Sequence, residues 1–491
     1  MIPPQTADAS GITATGDATG IVDLGDSISP IQVIGTQAIR DTMGVSCVQQ
    51  AIAARTAPGV SQLILNPDAH WGHGVPVGSV LVSPTHIYPG PVGVDIKCSM
   101  SLLQTDIPAE AIQDRRVRRS IIQEIEAKLS RGRRSAPGRN IDEQVGIDAA
   151  VHGCTKKLLN DLAIPPHWAD RCEDAVHLDT DGRIDKLANR LGKLLREKTI
   201  KDFSSKYKQL GSYGGGNHFG ECEIVKVGQS AEAQAVAQHF GLRDGCVAFL
   251  SHCGSRGLGH ALAVNQFRTL QQNFRKRGRA FPSGEAELVY TEYGSPEAET
   301  YLNDMALGAN FATVNHLLIN SIVLDAFQKT VPGTRGELVY FISHNIARRE
   351  WVDDQWQWVH RKGATRALPA GHRELQGTLF ESTGHPILLP GNPRDGSSVM
   401  VARPGASLTA FSVNHGAGRR LSRTEAKSLL TRSEVNASLE NADILSNSRD
   451  YPIDEAPDAY KDFQEVLNSV EKAGLATEVA KLFARFVIKD N

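Results

Sequence analysis

Ser412-Val413-Asn414-His415-Gly416-Ala417-Gly418-Arg419-Arg420 joins a strand-like run to a histidine and then to a small, bendable, cationic turn. That order of residue types suits a phosphate site with a nucleophile at its mouth. Glycines admit backbone N–H groups close to an anion, arginines offer bidentate donors, and an imidazole nitrogen can attack phosphorus. Taken alone, the stretch reads more readily as a glycine-rich turn carrying a surface histidine and solvated arginines. The choice depends on whether the rest of the chain supplies groups that neutralise a phosphate.

Asp95 and Cys98 stand in Gly93-Val94-Asp95-Ile96-Lys97-Cys98, and His218 follows the flexible Gly214-Gly215-Gly216-Asn217. His252 and His344 come directly after the apolar runs Val247-Ala248-Phe249-Leu250-Ser251 and Leu338-Val339-Tyr340-Phe341-Ile342-Ser343. An aspartate, a cysteine and these histidines form a transition-metal set, because imidazole and thiolate favour Mn, Fe, Co or Zn over Mg or Ca, and a thiolate can bridge two ions. Paired ions suit phosphate chemistry, where they orient attacking and leaving oxygens. In an extended segment Asp95 and Cys98 would not share a face, so a bend must bring them together. His70 and His73, in Asn66-Pro67-Asp68-Ala69-His70-Trp71-Gly72-His73-Gly74, are read as supporting or structural groups.

The positioning elements follow from periodicity. Residues 31–54 carry a helical apolar stripe, 60–66 read as a buried strand, and a second strand lies around 79–83. A basic amphipathic helix is expected within 109–134, with Arg115, Arg116, Arg118, Arg119, Arg131, Arg133 and Arg134, and a second basic stretch spans 183–210. Residues 303–329 read as a long core helix. The Gly-, Ala-, Thr- and Asp-rich residues 1–25 are expected to form a flexible arm. Without repeat or linker, residues 26–491 read as a single α/β catalytic domain, its central sheets flanked by helices and its cleft at strand ends.

With 41% hydrophobic and 22% charged residues and a formal net charge of −2, the 491-residue chain has a globular composition and is no basic nucleic-acid coat. Any polyanion must meet a local patch. The 7 cysteines are scattered without a CxxC pair, so neither a disulfide framework nor a thiolate zinc finger is indicated. The start lacks the pattern of a signal peptide, and no apolar run approaches bilayer-spanning length. A cytoplasmic, membrane-free monomer is expected.

Together these segments resemble the RtcB family of RNA ligases. The resemblance runs from about Ile39 to Lys489 and is carried by PDAHWGHGVPVGSV at Pro67 to Val80, GVDIKCSM at Gly93 to Met100, and GGGNHFGE at Gly214 to Glu221. SHCGSRGLGH at Ser251 to His260, SHNIARRE at Ser343 to Glu350, HRKGATRA at His360 to Ala367, and NHGAGRRLSR at Asn414 to Arg423 complete it. It implies the family's own α/β fold and a GTP-dependent enzyme that joins RNA 3′-phosphate or 2′,3′-cyclic phosphate ends to 5′-hydroxyl ends, in RNA repair or tRNA splicing. His415 would be the guanylylated residue, and Asp95, Cys98, His218, His252 and His344 would hold two manganese ions with Cys98 between them. Asn217, Glu221, Pro390, Gly391, Ser397, Ala417, Gly418, Tyr460 and Lys489 would surround the guanine nucleotide, while Asn345, Arg419 and Arg423 would face nucleotide or RNA phosphates.

The chain departs from the family pattern at three places. Lys97 and Ser99 flank Cys98 where small residues are usual, Asn392-Pro393-Arg394-Asp395 replaces a Ser-Met-Gly-Thr loop, and Asn414 precedes the histidine where a cysteine is common. Two other readings stay open at this level: a dinuclear metal phosphohydrolase acting on RNA ends, and a non-catalytic RNA-end binding protein.

Overall fold

The structure, a computed structural model, describes residues 11–132, 134–178 and 181–490. Its frame is two large sheets. The 8-stranded sheet runs Gly336–Ser343, Ser99–Pro108, Cys246–Cys253, Phe219–Val227, Ala476–Ile488, Gly396–Ala402 and Pro386–Asn392, with Leu445–Ser446 beside Ala476–Ile488. The 7-stranded sheet runs Thr13–Gly16, Thr19–Val22, Ile31–Ile34, Gln62–His70, Val77–Ser83, Gln355–Lys362 and Asn345–Val352. Helices flank them, giving the expected α/β architecture. Pairing is antiparallel except where Ile31–Ile34 meets Gln62–His70 and Leu445–Ser446 meets Ala476–Ile488. The strand-end site therefore differs from that of a parallel fold: neighbouring strands contribute an end and a start in alternation.

The two sheets meet at the chemistry. Strand Gly336–Ser343 closes one edge of the larger sheet and strand Asn345–Val352 closes an edge of the smaller, with His344 as the residue between them. Past Lys362, Gly363 leads into Ala364–Arg366, which pairs with Ser412–Asn414 so that Ala364 faces Asn414. His415 thus emerges at the same junction.

The helix Pro296–Thr330 forms the core on the other side, packed against Arg115–Lys128, Glu143–His152 and Arg256–Lys276. Ser295 caps it by accepting from the Ala298 amide, and Pro296 occupies its first turn, where a missing N–H costs nothing. The helix exceeds the expected 303–329 at its start, and its apolar window is long enough to cross a bilayer, contrary to the reading of apolar runs. That window is 100% buried inside the protein, which makes it a core helix. Its polar residues are used: Asn315 accepts from the Gly211 and Ser212 amides at 2.8 and 3.3 Å and donates to the Ser212 and Gly254 carbonyls at 3.2 Å.

Other expectations change. Residues 31–34 form a strand, and the helical part of 31–54 is confined to Gln37–Arg40 and Val45–Arg55, because Gly35, Thr36 and Gly44 interrupt the stripe. Of the expected arm, residues 1–10 lie outside the described residues, while 13–22 form a hairpin that extends the smaller sheet and buries Val22. The basic helix covers Arg115–Lys128, and Arg133 lies outside the described residues. Arg118 faces inward at 1% exposure, donating to the Asp443 carboxylate at 2.7 Å and to the Asp443 and Arg485 carbonyls. Arg190, in the second basic stretch, likewise grips buried Asp304 at 2.6 and 2.8 Å. These cations hold the fold together.

Asn315→Leu would strand the backbone groups of two loops that lead to His218 and away from His252. The expected loss is about 2–4 kcal/mol of unfolding free energy, read as a lower urea midpoint at unchanged slope.

Candidate metal and nucleotide site

Strand register aligns the first set of side chains. Ser343 faces Ser99, Ser99 faces Cys253, and Phe219 faces His252. His344 therefore lies just past one strand, Cys98 and His218 just before two others, and His252 at the end of a fourth. The Cys98 Sγ is 3.1 Å from His252 Nε2 and 3.4 Å from His218 Nε2, and His252 Nε2 is 3.3 Å from His344 Nε2. Asp95 joins through the bend its spacing requires: the Cys98 amide donates to the Asp95 carbonyl at 3.1 Å, and Lys97 turns left-handed at φ 53°. Its Oδ2 then reaches His218 Nε2 at 2.9 Å. Gly254 makes room, since a Cβ there would lie 2.3 Å from the Asp95 carboxylate.

Donor atoms converge in two triads, Asp95–Cys98–His218 and Cys98–His252–His344, each within 4.8 Å and sharing the cysteine. The far ring nitrogens fix the imidazoles. His218 Nδ1 donates to the Tyr213 carbonyl at 2.9 Å and His252 Nδ1 to the Asn217 carbonyl at 3.2 Å, which aims both Nε2 lone pairs inward. Burial, then neighbouring imidazoles, holds His252 and His344 well below the ordinary histidine pKa, so both are neutral. Burial pushes the Asp95 carboxyl up, but His218 outweighs it and the net shift is downward. Burial and the Asp95 charge raise the Cys98 thiol well above its usual value; a bound divalent cation would reverse that, because a coordinating thiol is deprotonated. This donor set fits two divalent transition-metal cations bridged by a thiolate.

His415 packs over the cluster, its ring centroid 4.6 Å from that of His344 and 6.4 Å from that of His252. Its Nδ1 lies 2.7 Å from Asp68 Oδ2 and 2.8 Å from the Gly363 carbonyl, both acceptors, so the ring proton belongs on Nδ1 and Nε2 keeps its lone pair. Asp68 is wholly buried and clamped. Lys461 Nζ donates to the Pro67 and Ala69 carbonyls at 3.0 and 2.8 Å, and its burial pulls its pKa down to about 8. Gly418, at φ +74°, passes so close that a Cβ would lie 2.4 Å from the Asp68 carbonyl.

The residues expected around a nucleotide separate into groups. Glu221, Pro390, Gly391, Ser397, Tyr460 and Lys489 line one pocket, with Asn392, Tyr451 and Glu455. Ala417 is tied to it by a hydrogen bond of 3.1 Å that its amide donates to the Pro390 carbonyl, while Gly418 serves the Asp68 clamp. Asn217 contributes its carbonyl to His252 and exposes its side chain. Asn345 braces the site instead, donating to the Asp95 carbonyl at 3.4 Å and accepting from the Gly363 amide at 2.9 Å. Arg419 and Arg423 come together at Glu455, at 3.6 and 2.5 Å, where Lys489 at 3.5 Å and the Tyr460 hydroxyl at 2.6 Å also converge. Both arginines are thus engaged by an internal carboxylate. A larger cavity of about 590 Å³, lined by Arg171, Arg243 and Arg335, lies at the opposite end of the same strands and touches none of these groups.

The departures are accommodated locally. Lys97 is fully buried but turned away from the triads, donating to Asp174 Oδ1 at 2.5 Å and Thr313 at 2.8 Å, so its charge is neutralised outside the metal set. Asn392 caps its own turn through Asp395 at 2.7 Å and the Arg394 and Asp395 amides at 3.1 Å. Asn414 donates to the Gly416 carbonyl at 2.8 Å, shaping the turn after the histidine.

The sequence matches the profile described as tRNA-splicing ligase RtcB over residues 50–490. The chain belongs to the RtcB family. It is 34% identical over 451 residues to the tRNA-splicing ligase RtcB of Nanoarchaeum equitans, covering 88% of each chain. It is 33% identical over 456 residues to the RNA-splicing ligase RtcB of Mycobacterium tuberculosis, covering 88% of this chain and 98% of that one. With the tRNA-splicing ligase RtcB of Thermococcus kodakarensis it shares 31% over 458 residues, 89% of each. Within this RtcB chain, sequence reasoning passed over Asp68, Gly363, Glu455 and Lys461. Asp68 sat inside the quoted Pro67-Asp68-Ala69-His70 segment, but nothing local marks it as the partner of His415.

Burial pushes Glu221, beside Glu223, from 4.5 up to about 7. A carboxyl raised on folding favours the native state at low pH and costs stability as pH climbs from 4.5 through about 7. Glu221→Gln should therefore flatten the fall in unfolding free energy across that window by up to about 1.4 kcal/mol per pH unit, measured by urea titration without nucleotide.

Proposed function

We propose that this RtcB-family chain is an RNA ligase that joins RNA 3′-phosphate or 2′,3′-cyclic phosphate ends to 5′-hydroxyl ends, using GTP as co-substrate, two manganese ions, and His415 as the covalent GMP carrier. Family membership and the names of its relatives support RNA-end joining. The single observation that carries the chemistry is His415 with its Nδ1 proton held by Asp68 and Gly363 and its ring against His344.

Asp95, Cys98 and His218 on one side, and Cys98, His252 and His344 on the other, would hold the ions, which when bound offset negative charge on the phosphoryl oxygens. His415 Nε2 attacks the α-phosphorus of GTP; a P–N bond forms as the bond to pyrophosphate breaks. Positive charge then developing on the ring is compensated by the Asp68 carboxylate, which also selects the tautomer with the proton on Nδ1 and the lone pair on Nε2, the role a buried carboxylate plays behind a catalytic imidazole. An RNA 3′-phosphate oxygen next attacks the phosphorus of the phosphoramidate, forming the RNA–pp–G intermediate and returning the lone pair to Nε2. The 5′-hydroxyl, losing its proton to solvent, finally attacks the 3′-phosphate phosphorus and expels GMP, so that phosphate becomes the junction. A cyclic end is first opened by water to the 3′-phosphate. In this reading the pocket of Glu221, Ser397, Tyr460 and Lys489 receives guanine nucleotide, and Arg419 and Arg423 exchange Glu455 for phosphate.

Incubation with α-labelled GTP and Mn²⁺ should label the protein through an acid-labile bond, with no label in His415→Ala. Absence of label in the parent protein under Mn²⁺, Co²⁺ and Zn²⁺ would overturn the GTP reading. Asp68→Asn should retain its metal content, measured by elemental analysis, yet label about 10²–10⁴-fold more slowly.

A further inference from the structure

The hairpin of Asn345–Val352 and Gln355–Lys362 leads away from the site. Its base is the Asn345–Lys362 pair, and at its tip the Trp351–Trp356 pair comes one before the closing Val352–Gln355 pair and the turn residues Asp353 and Asp354. Arg349 faces Trp358 in register, so Arg349, Trp351, Trp356 and Trp358 share one face. On that face arginines and rings interleave. The Arg349 guanidinium stacks 4.8 Å from the Tyr293 ring and 5.9 Å from Trp356, and Arg373 stacks 4.9 Å from Trp351 and 5.5 Å from Trp356. Tyr293 in turn lies 5.3 Å from Trp358.

Two properties set this patch apart. Trp356 and Tyr293 expose 44% and 43% of their surface, although both belong to an ordered stack. Arg349 contacts the Tyr293 hydroxyl at 3.0 Å, and neither Arg349 nor Arg373 forms an ion pair with a carboxylate among the described residues. Neighbouring arginines behave differently: Arg348 pairs with Asp174, Arg361 with Glu350, and Arg366 with Glu350 and Glu374. The fold neutralises the cations around this face and leaves these two with N–H edges available.

We propose that this aromatic–arginine face binds the single-stranded RNA adjoining the reacting end, an assignment that rests on the ligase reading for the identity of its ligand. Exposed rings stack bases of any identity, and guanidinium edges meet the phosphates between them, the two elements of a sequence-tolerant single-strand platform. From Asn345 to Trp351 the strand advances about 20 Å at ~3.3 Å per residue, so the platform lies about six stacked nucleotides, at ~3.4 Å each, from the site. Asp353 and Asp354 repel phosphate and end the track at the tip. RNA shorter than this span would not reach the platform.

Fluorescence anisotropy, without GTP, on single-stranded 3′-phosphate RNAs of about 4 and about 12 nucleotides tests this, the two lengths bracketing the track. The parent should bind the longer RNA more tightly. Trp356→Ala and Arg349→Ala should each weaken the longer RNA about tenfold and leave the shorter unchanged, while Trp356→Phe keeps the length dependence. Arg349→Ala should also lower the slope of log affinity against log salt by about one. Parent-like binding of the longer RNA by both alanine variants, or equal weakening at both lengths, would overturn the proposal. Because binding is read without nucleotide, failure of the parent to label with GTP would count against the ligase mechanism and not against this platform.

Discussion

Ser343 opposite Ser99, Ser99 opposite Cys253 and Phe219 opposite His252 are backbone pairings, yet they set the geometry of the site. Side chains on a strand alternate faces, so a one-residue slip of any of these strands would turn its donor atom out of the cluster. Antiparallel order makes the arrangement economical in sequence: an end, a start, an end and a start fall on one sheet margin, and each needs one suitable residue. Burial of the sheet against the Pro296–Thr330 helix holds the register, and Asn315 ties that helix to the loops on either side of the histidines.

Proton placement completes what register begins. Each of His218, His252 and His415 has Nδ1 against an acceptor, so three Nε2 lone pairs face a common space. Charge is removed wherever it would disturb that space. Lys97 is led away to Asp174, and Arg419, Arg423 and Lys489 are gathered on Glu455. A buried carboxylate holding several cations fixes their heads at one place in the pocket wall, and in the proposed function it positions them before a phosphate arrives.

The sequence exposed those features whose cause is local. His252 and His344 stand out because an apolar run ends at each, and Asp95 with Cys98 because their spacing demands a bend. The long core helix was legible from its stripe, while residues 31–34 were not, since Ile-Gln-Val-Ile suits either period and only Gly35 and Thr36 break it. What escaped depends on distant partners. Asp68 meets His415 across 347 positions, and Arg118 meets Asp443 across 325, so the carboxylate behind His415 looked like part of a loop and a buried arginine like one more residue of a basic face.

The ligase reading requires one thiolate to join two cation sites in front of a histidine whose distal nitrogen bonds phosphorus. A crystal structure of the protein with Mn²⁺ and GTP tests it directly, read at the manganese absorption edge. Two anomalous peaks flanking Cys98 Sγ and continuous density from His415 Nε2 to a phosphorus atom are expected. A single peak away from Cys98, or nucleotide density bonded to any other side chain, would contradict it.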